Sequence, residues 1–319
     1  MQQKLMMAAL GVVLGCSGFA VAQDKYPVKP IRMIVGYAPG GGSDIMARLI
    51  APQITEALGQ QVIVENRAGQ AQNIAAEFLI KQPADGYNLF LSSAALGVNV
   101  SLYPKLNYDP VKDFVPIAVF SSSANLLVTH PSLPAKNVKE FIAVVKKNPG
   151  KMNFSSSGSG STQHLSGEML KLMIQGDFTH IPYKGTGPSL VALASGEVEF
   201  SFTNIPAAQP LLSRMRVLAI TGEKRSALMP EVPTMIEGGL KGFVTQTWYG
   251  VLSQRGTPQS VVTTLNNVIV KAVQREDFRN KLAQMGADPI AETPEYFRKM
   301  LGEEIERWSK VVKASGIKP

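Results

Sequence analysis

Two glycine-rich loops, each lying between a predicted strand and a helical pattern, restrict the fold of this chain more than any other feature. The first loop, residues 38–44, follows the apolar run 31–37. The second loop, residues 155–161, follows a short strand at 152–154 and precedes a helix that begins near Thr162. Each loop thus belongs to a unit made of a strand, a loop and a helix, and the two units lie about 120 residues apart. This pattern predicts an alternating α/β chain with one unit in each of two lobes.

The order of the remaining elements predicts that the first lobe is discontinuous. Residues 115–120 and 126–129 are interpreted as two strands that lead out of it, and residues 246–252 as the returning strand. Two amphipathic helices, 259–274 and 295–314, then complete it. We expect lobe 1 to comprise residues 23–123 and 246–319, and lobe 2 residues 124–245. Pro52 is expected to kink or split the helix that follows the first loop.

Residues 1–22 have the pattern of a secretory signal peptide. A single charge, Lys4, precedes an apolar stretch at 5–15, and Ala20 and Ala22 occupy the cleavage positions. The apolar stretch is about half the length that spans a bilayer. Cleavage removes Cys16, so the mature protein could form no disulfide. An alternative reading is a lipobox that ends in an acylated Cys16. Both readings place the mature chain in the periplasm.

The chain carries a formal net charge of +8. An excess of basic residues can favour binding to nucleic acid, to an anionic membrane surface or to an acidic ligand. Export argues against nucleic acid, and the basic residues are scattered along the sequence rather than grouped. An acidic ligand and ordinary surface solubility both remain open.

The two loops are candidate anion sites. The first N–H groups of a helix have no acceptor within the helix, and the aligned peptide dipoles add partial positive charge there. Glycine lets the backbone come close to a ligand, so a carboxylate could be held without arginine or lysine. The alternative is that both loops are simple tight turns.

Several polar and aromatic side chains near the loops have two interpretations. Asp44 could cap the first helix or contact the ligand, and Ser161 and Thr162 have the same dual interpretation at the second helix. The remaining candidates, which could line the cleft or belong to the core, are Tyr37, Trp248, Tyr249 and Asn204.

Enzyme templates fit the sequence poorly. The serine-rich second loop lacks the first glycine of a G-x-S-x-G nucleophile elbow. His130, His164 and His180 do not have the spacing of a metal site, and we expect neither a metal nor a cofactor. A secreted hydrolase that uses Ser161 and His164 remains a remote alternative.

Motifs along the whole mature chain resemble the Bug receptors, the TctC-like substrate-binding proteins of tripartite tricarboxylate transporters. In the first half they are Tyr26-Pro27, Lys29-Pro30-Ile31, Ala38-Pro39-Gly40-Gly41-Gly42-Ser43-Asp44, Val64-Glu65-Asn66-Arg67, Asp85-Gly86-Tyr87, Ser101-Leu102-Tyr103-Pro104-Lys105 and Tyr108-Asp109-Pro110. In the second half they are Ser156-Ser157-Gly158, Gly160-Ser161-Thr162, His164-Leu165, Pro182-Tyr183-Lys184-Gly185, Val232-Pro233-Thr234, Trp248-Tyr249-Gly250 and Gly316-Ile317-Lys318-Pro319.

The resemblance implies a type II periplasmic binding protein, or Venus flytrap, with two α/β lobes and two crossing hinge strands. Its ligand would be a small carboxylate, an organic or aromatic acid, and the protein would not be an enzyme. The expected partners are one large and one small membrane subunit, and the receptor itself is expected to be a monomer. Use of the same receptor for sensing is the alternative. We predict ligand contacts at Tyr37, Ala38, Gly42, Asp44, Ser93, Ser157, Gly160, Ser161, Thr162 and Asn204.

Two departures from the family pattern bear on the ligand. Residues 68–73 replace a usual Gly-Ala-Gly-Gly-Asn stretch, and Asn204 stands where many members carry aspartate. Without that carboxylate the site has no acidic group at this position to bind a ligand ammonium group. The sequence therefore favours plain organic or aromatic acids over amino acids.

Overall fold

The computed structural model describes residues 26–317, so the expected signal peptide and Cys16 lie outside it. The strands are β1 (Ile31–Val35), β2 (Val62–Asn66), β3 (Asn88–Ser93), β4 (Phe114–Thr129), β5 (Asn153–Ser156), β6 (Thr179–Pro182), β7 (Phe200–Asn204), β8 (Arg216–Ile220), β9 (Gln246–Gln254) and β10 (Asp288–Pro289). The α-helices are α1 (Gly42–Leu58), α2 (Asn73–Leu79), α3 (Ala95–Leu102), α4 (Val138–Lys147), α5 (Thr162–Ile174), α6 (Thr186–Ser195), α7 (Ile205–Ala208), α8 (Gln259–Gln274), α9 (Glu276–Gln284) and α10 (Pro294–Ser315). Short 3₁₀ turns lie at Gln70–Gln72 and Gln209–Arg214.

One long strand joins the two halves of the sheet. The strand order is β2-β1-β3-β9-β4-β7-β5-β6, with β8 and β10 also paired to β4. Strand β4 pairs with β9 as far as Ala124 and with β7 from Asn125 onward. The expectation of two separate strands was wrong here, because the Ser121–Ser123 stretch pairs with β9 and keeps the strand continuous.

We call the half around β1, β2, β3 and β9 lobe 1, and the half around β5, β6, β7 and β8 lobe 2. The chain passes from lobe 1 to lobe 2 within β4 and returns at the start of β9, where Gln246 pairs with Ala124. The exact boundaries at residues 123 and 245 stay a proposal.

Lobe 1 buries both faces of its sheet. Met33 and Val35 of β1 face a core formed with α1, α8 and α9, while Ile34 faces a second core formed with α2, α3 and α10. Burial on both faces explains why residues 31–35 form a nearly continuous apolar run rather than an alternating one. Lobe 2 is also covered on two faces, by α4 with α5 and by α6 with α7.

Helix α1 runs unbroken through Pro52, so the alternative that Pro52 splits the helix was wrong, whereas a kink at Pro52 stays a prediction. Thr55 stabilises the end of this helix, since its hydroxyl donates to the Ala51 carbonyl at 3.0 Å and accepts from the Val62 amide at 3.0 Å. The helix ends at Gly59, which adopts the left-handed conformation (φ +68°) that favours glycine.

No helix within residues 26–317 has the length and apolar character needed to cross a membrane. Over the same residues, no group of three or more histidine, cysteine, aspartate or glutamate side chains is placed to hold a metal ion.

Candidate ligand-binding site between the lobes

A narrow cavity of about 20 Å³ lies between the two lobes. This volume holds about one water molecule, so the lobes are closed on each other at the site. The lining residues from lobe 1 and the returning strand β9 are Tyr37, Gly41, Gly42, Ser43, Ser93, Thr247 and Tyr249. Those from lobe 2 are Ser157, Thr162, Gln163, Thr186 and Asn204. Every lining side chain is uncharged.

Three helices begin at this cavity. Gly42 and Ser43 open α1, Thr162 and Gln163 open α5, and Thr186 opens α6. The first N–H groups of each helix lack an acceptor within the helix. The residues preceding α1 and α6 are glycines, which have no side chain to cap those groups. The convergence of three helix starts makes the cavity electropositive without any cationic side chain.

Gly42 brings the backbone of lobe 1 close to lobe 2. A Cβ atom at this position would lie 2.5 Å from the Asn204 amide nitrogen and 2.5 Å from the Tyr249 hydroxyl oxygen. Asn204 is itself fixed, because its side-chain oxygen accepts a hydrogen bond from the Ala207 amide at 3.1 Å. The space beside Gly42 is therefore available only to a residue without a side chain.

Two tyrosines supply hydroxyl groups to the cavity. Burial raises the pKa of Tyr37 and of Tyr249, so both are neutral at physiological pH. The Tyr37 hydroxyl lies 3.5 Å from the Ser93 hydroxyl. The Tyr249 hydroxyl is buried and has no hydrogen-bond partner within residues 26–317. A buried hydroxyl without a partner is costly, so a ligand atom is its natural acceptor.

Six of the ten predicted contact residues line the cavity together: Tyr37, Gly42, Ser93, Ser157, Thr162 and Asn204. The other four, Ala38, Asp44, Gly160 and Ser161, lie close by but do not line it. Ala38 touches lobe 2 through its amide, which donates to the Lys184 carbonyl at 3.0 Å. Direct contact between any of the ten and a ligand stays a prediction.

Asp44 is engaged within the protein. Burial alone would raise the pKa of its carboxyl group, but hydrogen bonds from Arg48, the Gly40 amide and Asn66 hold that pKa below its usual value. The carboxylate accepts from the Gly40 amide at 3.0 Å and so fixes the shape of the first loop. The Asp44 carboxylate therefore holds the first loop in place.

Gly160 and Ser161 hold the second loop. The Gly160 amide donates to Nδ1 of His164 at 3.1 Å, and the Ser161 hydroxyl accepts from the His164 amide at 3.2 Å. The ring nitrogen Nδ1 is thus occupied by the loop and does not face the Ser161 hydroxyl as a base would. The geometry does not provide the pair that the hydrolase alternative needs.

The rings of His164 and His180 stack at a centroid distance of 3.9 Å beneath this loop. Burial lowers the pKa of His164 from 6.5 to about 4, and burial together with the neighbouring His164 lowers that of His180. Both are neutral at pH 7. The His180 Nε2 atom lies 2.6 Å from the Ser156 hydroxyl, so the pair also supports the end of β5.

We predict that this pair makes the protein sensitive to acid. In the unfolded chain His164 takes up a proton near pH 6.5, whereas in the folded protein it does so only near pH 4, so stability falls as pH decreases between these values. Protonation of His164 lowers the free energy of unfolding by an amount on the order of 3 kcal/mol at pH 4. Urea unfolding at pH 7, 5.5 and 4.5 measures it, and His164→Asn should flatten the dependence. If the free energy of unfolding depends on pH equally in the wild type and in His164→Asn, the acid sensitivity does not come from His164.

Six lining residues were not among the predicted contacts: Gly41, Ser43, Gln163, Thr186, Thr247 and Tyr249. Thr186 follows Gly185 and opens a third helix at the cavity, and the available signal was the Gly185-Thr186-Gly187 triplet. The sequence presents Tyr249 and Trp248 as equal candidates, but successive residues of a strand face opposite sides. Trp248 packs on Phe297 in the core of lobe 1 at 5.2 Å between ring centroids, and Tyr249 faces the cavity.

The fold and the cavity between the lobes define a two-lobed solute-binding protein of the periplasmic type. The model of the tripartite tricarboxylate transporter family receptor matches residues 46–317, and the chain belongs to this family. The resemblance inferred from the motifs is thereby confirmed.

Three relatives illustrate the match. Protein BugT of Bordetella pertussis is 37% identical over 324 aligned residues, which cover 100% of this chain and 99% of BugT. An R. palustris protein solved with adipate is 37% identical with a TM-score of 0.90, over 92% of this chain and 99% of that one. MatC from Rhodopseudomonas palustris, solved with bound malate, is 34% identical with a TM-score of 0.86, over 90% and 100%. The family to which the chain belongs is a family of receptors rather than of enzymes.

Proposed function

We propose that the protein captures a small organic acid in the bacterial periplasm and presents it to the membrane subunits of a tripartite tricarboxylate-type transporter. The observation that carries this proposal is the uncharged cavity where three helix starts meet the Tyr249 hydroxyl, which has no partner among the described residues. Hydrogen-bond donors dominate this arrangement, and a carboxylate group offers only acceptors when ionised.

The strength of such a site is compatible with capture of a nutrient. Each helix start contributes about 0.3 to 2 kcal/mol, and each hydrogen bond to a charged group about 1.5 to 3 kcal/mol. Two or three helix starts with one or two such hydrogen bonds reach about 8 kcal/mol, which corresponds to micromolar binding. Two related receptors of known structure hold dicarboxylates, adipate and malate, which supports the same chemistry here.

Lobe closure completes the site. Gly42 belongs to lobe 1, whereas Asn204 and Thr162 belong to lobe 2. A ligand that contacts both sides binds the closed arrangement more tightly than the open one, and therefore shifts the population toward it. The closed form is then the state that a membrane subunit can recognise.

Thermal unfolding with a panel of organic and aromatic acids tests the proposed binding. An acid present at 100 times its Kd should add about 2.7 kcal/mol of stability and raise the melting temperature by about 5 °C. The matched controls are the corresponding primary amides, which retain the shape of each acid but lack its charge. Equal stabilisation by amides and acids would contradict the carboxylate site.

Uptake experiments test the proposed delivery. A strain that lacks the receptor should lose import of the stabilising acid, and expression of the chain should restore it. Import that persists, together with loss of an acid-dependent response in the cell, would instead favour the sensing role.

A further inference from the structure

A buried apolar cluster joins the two lobes beside the binding site. Leu165 of α5 packs there with Val98 and Leu102 of α3 and with Trp308 and Val312 of α10. Helix α5 belongs to lobe 2, whereas α3 and α10 belong to lobe 1. None of the five residues is more than 5% exposed. We call them the interlobe cluster.

The interlobe cluster is linked to the binding site through helix α5. Leu165 lies one helical turn after Thr162, which opens α5 and lines the cavity. None of the five cluster residues lines that cavity. The cluster can therefore act on a ligand only through the position of α5, and so through the closure of the lobes.

Polar and steric contacts flank the interlobe cluster. The Tyr103 hydroxyl donates to the Ser159 carbonyl at 3.2 Å, and the Arg307 guanidinium donates to the Val244 carbonyl at 3.0 Å. A Cβ atom at Gly160 would lie only 2.9 Å from Cδ2 of Leu102, so α3 fits closely against the second loop. The cluster thus lies within a close-fitting contact between the lobes.

Separation of the lobes would expose this contact to water. Leu165 would lose its neighbours on α3 and α10, and Trp308 would lose its neighbour on α5. Burial of one leucine side chain shifts an equilibrium about 10- to 100-fold toward the state in which it is buried. Because the cluster consists of protein side chains alone, this contribution to closure does not require a ligand.

We infer that Leu165 is a positioning residue that, by packing on α3 and α10, holds the lobes closed in the ligand-free protein and thereby sets the affinity of the binding site. Apparent affinity falls in proportion to the fraction of molecules that are closed. Entry of a ligand, in contrast, requires the open state. The effect on affinity rests on the proposed function, whereas the effect on closure does not.

Small-angle X-ray scattering of the ligand-free protein tests the effect on closure. The radius of gyration should increase in Leu165→Ala and, by a smaller amount, in Val98→Ala, which weakens the same contact from lobe 1. Leu165→Met nearly conserves the side-chain volume and should keep the wild-type radius. Leu170→Ala is the matched control, because Leu170 is a fully buried leucine of the same helix that packs in the core of lobe 2.

Calorimetry and stopped-flow binding test the effect on affinity, with adipate and malate, the acids held by two related receptors, as probes. Leu165→Ala should bind about 10-fold more weakly than the wild type and yet associate faster, because more of the molecules are open. Loss of stability alone would not accelerate association. Leu170→Ala should lower the free energy of unfolding and leave both binding values within about 2-fold of the wild type.

Two outcomes overturn the role of Leu165 alone. One is a radius of gyration that is equal in the wild type, Leu165→Ala and Val98→Ala. The other is weaker binding by Leu165→Ala that is matched by Leu170→Ala and not accompanied by faster association. Failure of the whole panel of acids to bind the wild type overturns the proposed function instead, and scattering then decides the effect on closure by itself.

Discussion

Replacing Gly42 with alanine is expected to weaken binding of the captured acid by about 10- to 100-fold. The added methyl group would lie 2.5 Å from both the Asn204 amide nitrogen and the Tyr249 hydroxyl oxygen, closer than real Cβ contacts allow. Overpacking of this kind typically costs about 1 to 3 kcal/mol. The clash with Asn204 arises only in the closed state, since Asn204 belongs to the opposite lobe, whereas the clash with Tyr249 lies within lobe 1 and affects the open state as well.

Gly41→Ala is the matched control for this prediction. A Cβ atom at Gly41 would lie at least 3.5 Å from its neighbours, which is ordinary van der Waals contact, and the backbone of Gly41 is extended (φ −84°). Gly41 also lines the cavity, but its Cβ atom would meet no clash, so we expect Gly41→Ala to weaken binding less than Gly42→Ala does. Alanine is also a better helix former than glycine, so poor helix propensity cannot explain a loss in Gly42→Ala.

Calorimetric titration of the two variants with the acid that stabilises the wild type best measures the difference. Urea unfolding without ligand shows how much of the cost falls on the ligand-free protein. Equal affinities for Gly41→Ala and Gly42→Ala would mean that the lobes do not close against Gly42 in solution.

Much of the fold could be predicted from the sequence because the local residue patterns agree with the tertiary packing. The strand predicted before each glycine loop is present, as β1 and β5, and helices α1 and α5 begin where those loops end. A buried parallel strand and a glycine-bounded helix start both have strong local signatures. The family motifs around these loops added the two-lobed arrangement.

The errors arose where tertiary contacts override local preference. The Ser121–Ser123 stretch has the composition of a loop, yet pairing with β9 keeps it in a strand. Pro52 lies within α1 without ending it, and the packing of Met46, Ile50 and Ile54 against the core stabilises the helix on both sides.

The site was harder to predict because its geometry depends on how the lobes meet. The close approach of Gly42 to Asn204 joins residues 162 positions apart in sequence, and no local pattern encodes it. The left-handed turn at Gln70–Gln72 could not be predicted from the local sequence either, because the residue types give no sign of three successive positive φ values. Replacement of the family's glycines in this stretch was the only indication.

Replacing Tyr249 with phenylalanine is expected to change affinity and stability in opposite directions. The Tyr249 hydroxyl is fully buried and unpartnered within residues 26–317, so its removal spares the ligand-free protein a desolvation cost. We expect the free energy of unfolding without ligand to rise by about 1 kcal/mol. If the same hydroxyl donates to the bound carboxylate, affinity should fall by about 10- to 100-fold, since a hydrogen bond to a charged group contributes about 1.5 to 3 kcal/mol.

Tyr108→Phe provides the matched control, because the buried Tyr108 hydroxyl already donates to the Asn73 side-chain oxygen at 2.5 Å. Its loss should lower the free energy of unfolding by about 1 kcal/mol and leave affinity unchanged, the reverse of the effects at Tyr249. Urea unfolding and calorimetric titration of both variants give the four values needed. Lower stability in ligand-free Tyr249→Phe would show that this hydroxyl has an acceptor within the protein in solution. In that case the donor that faces the ligand must be sought at the helix starts alone.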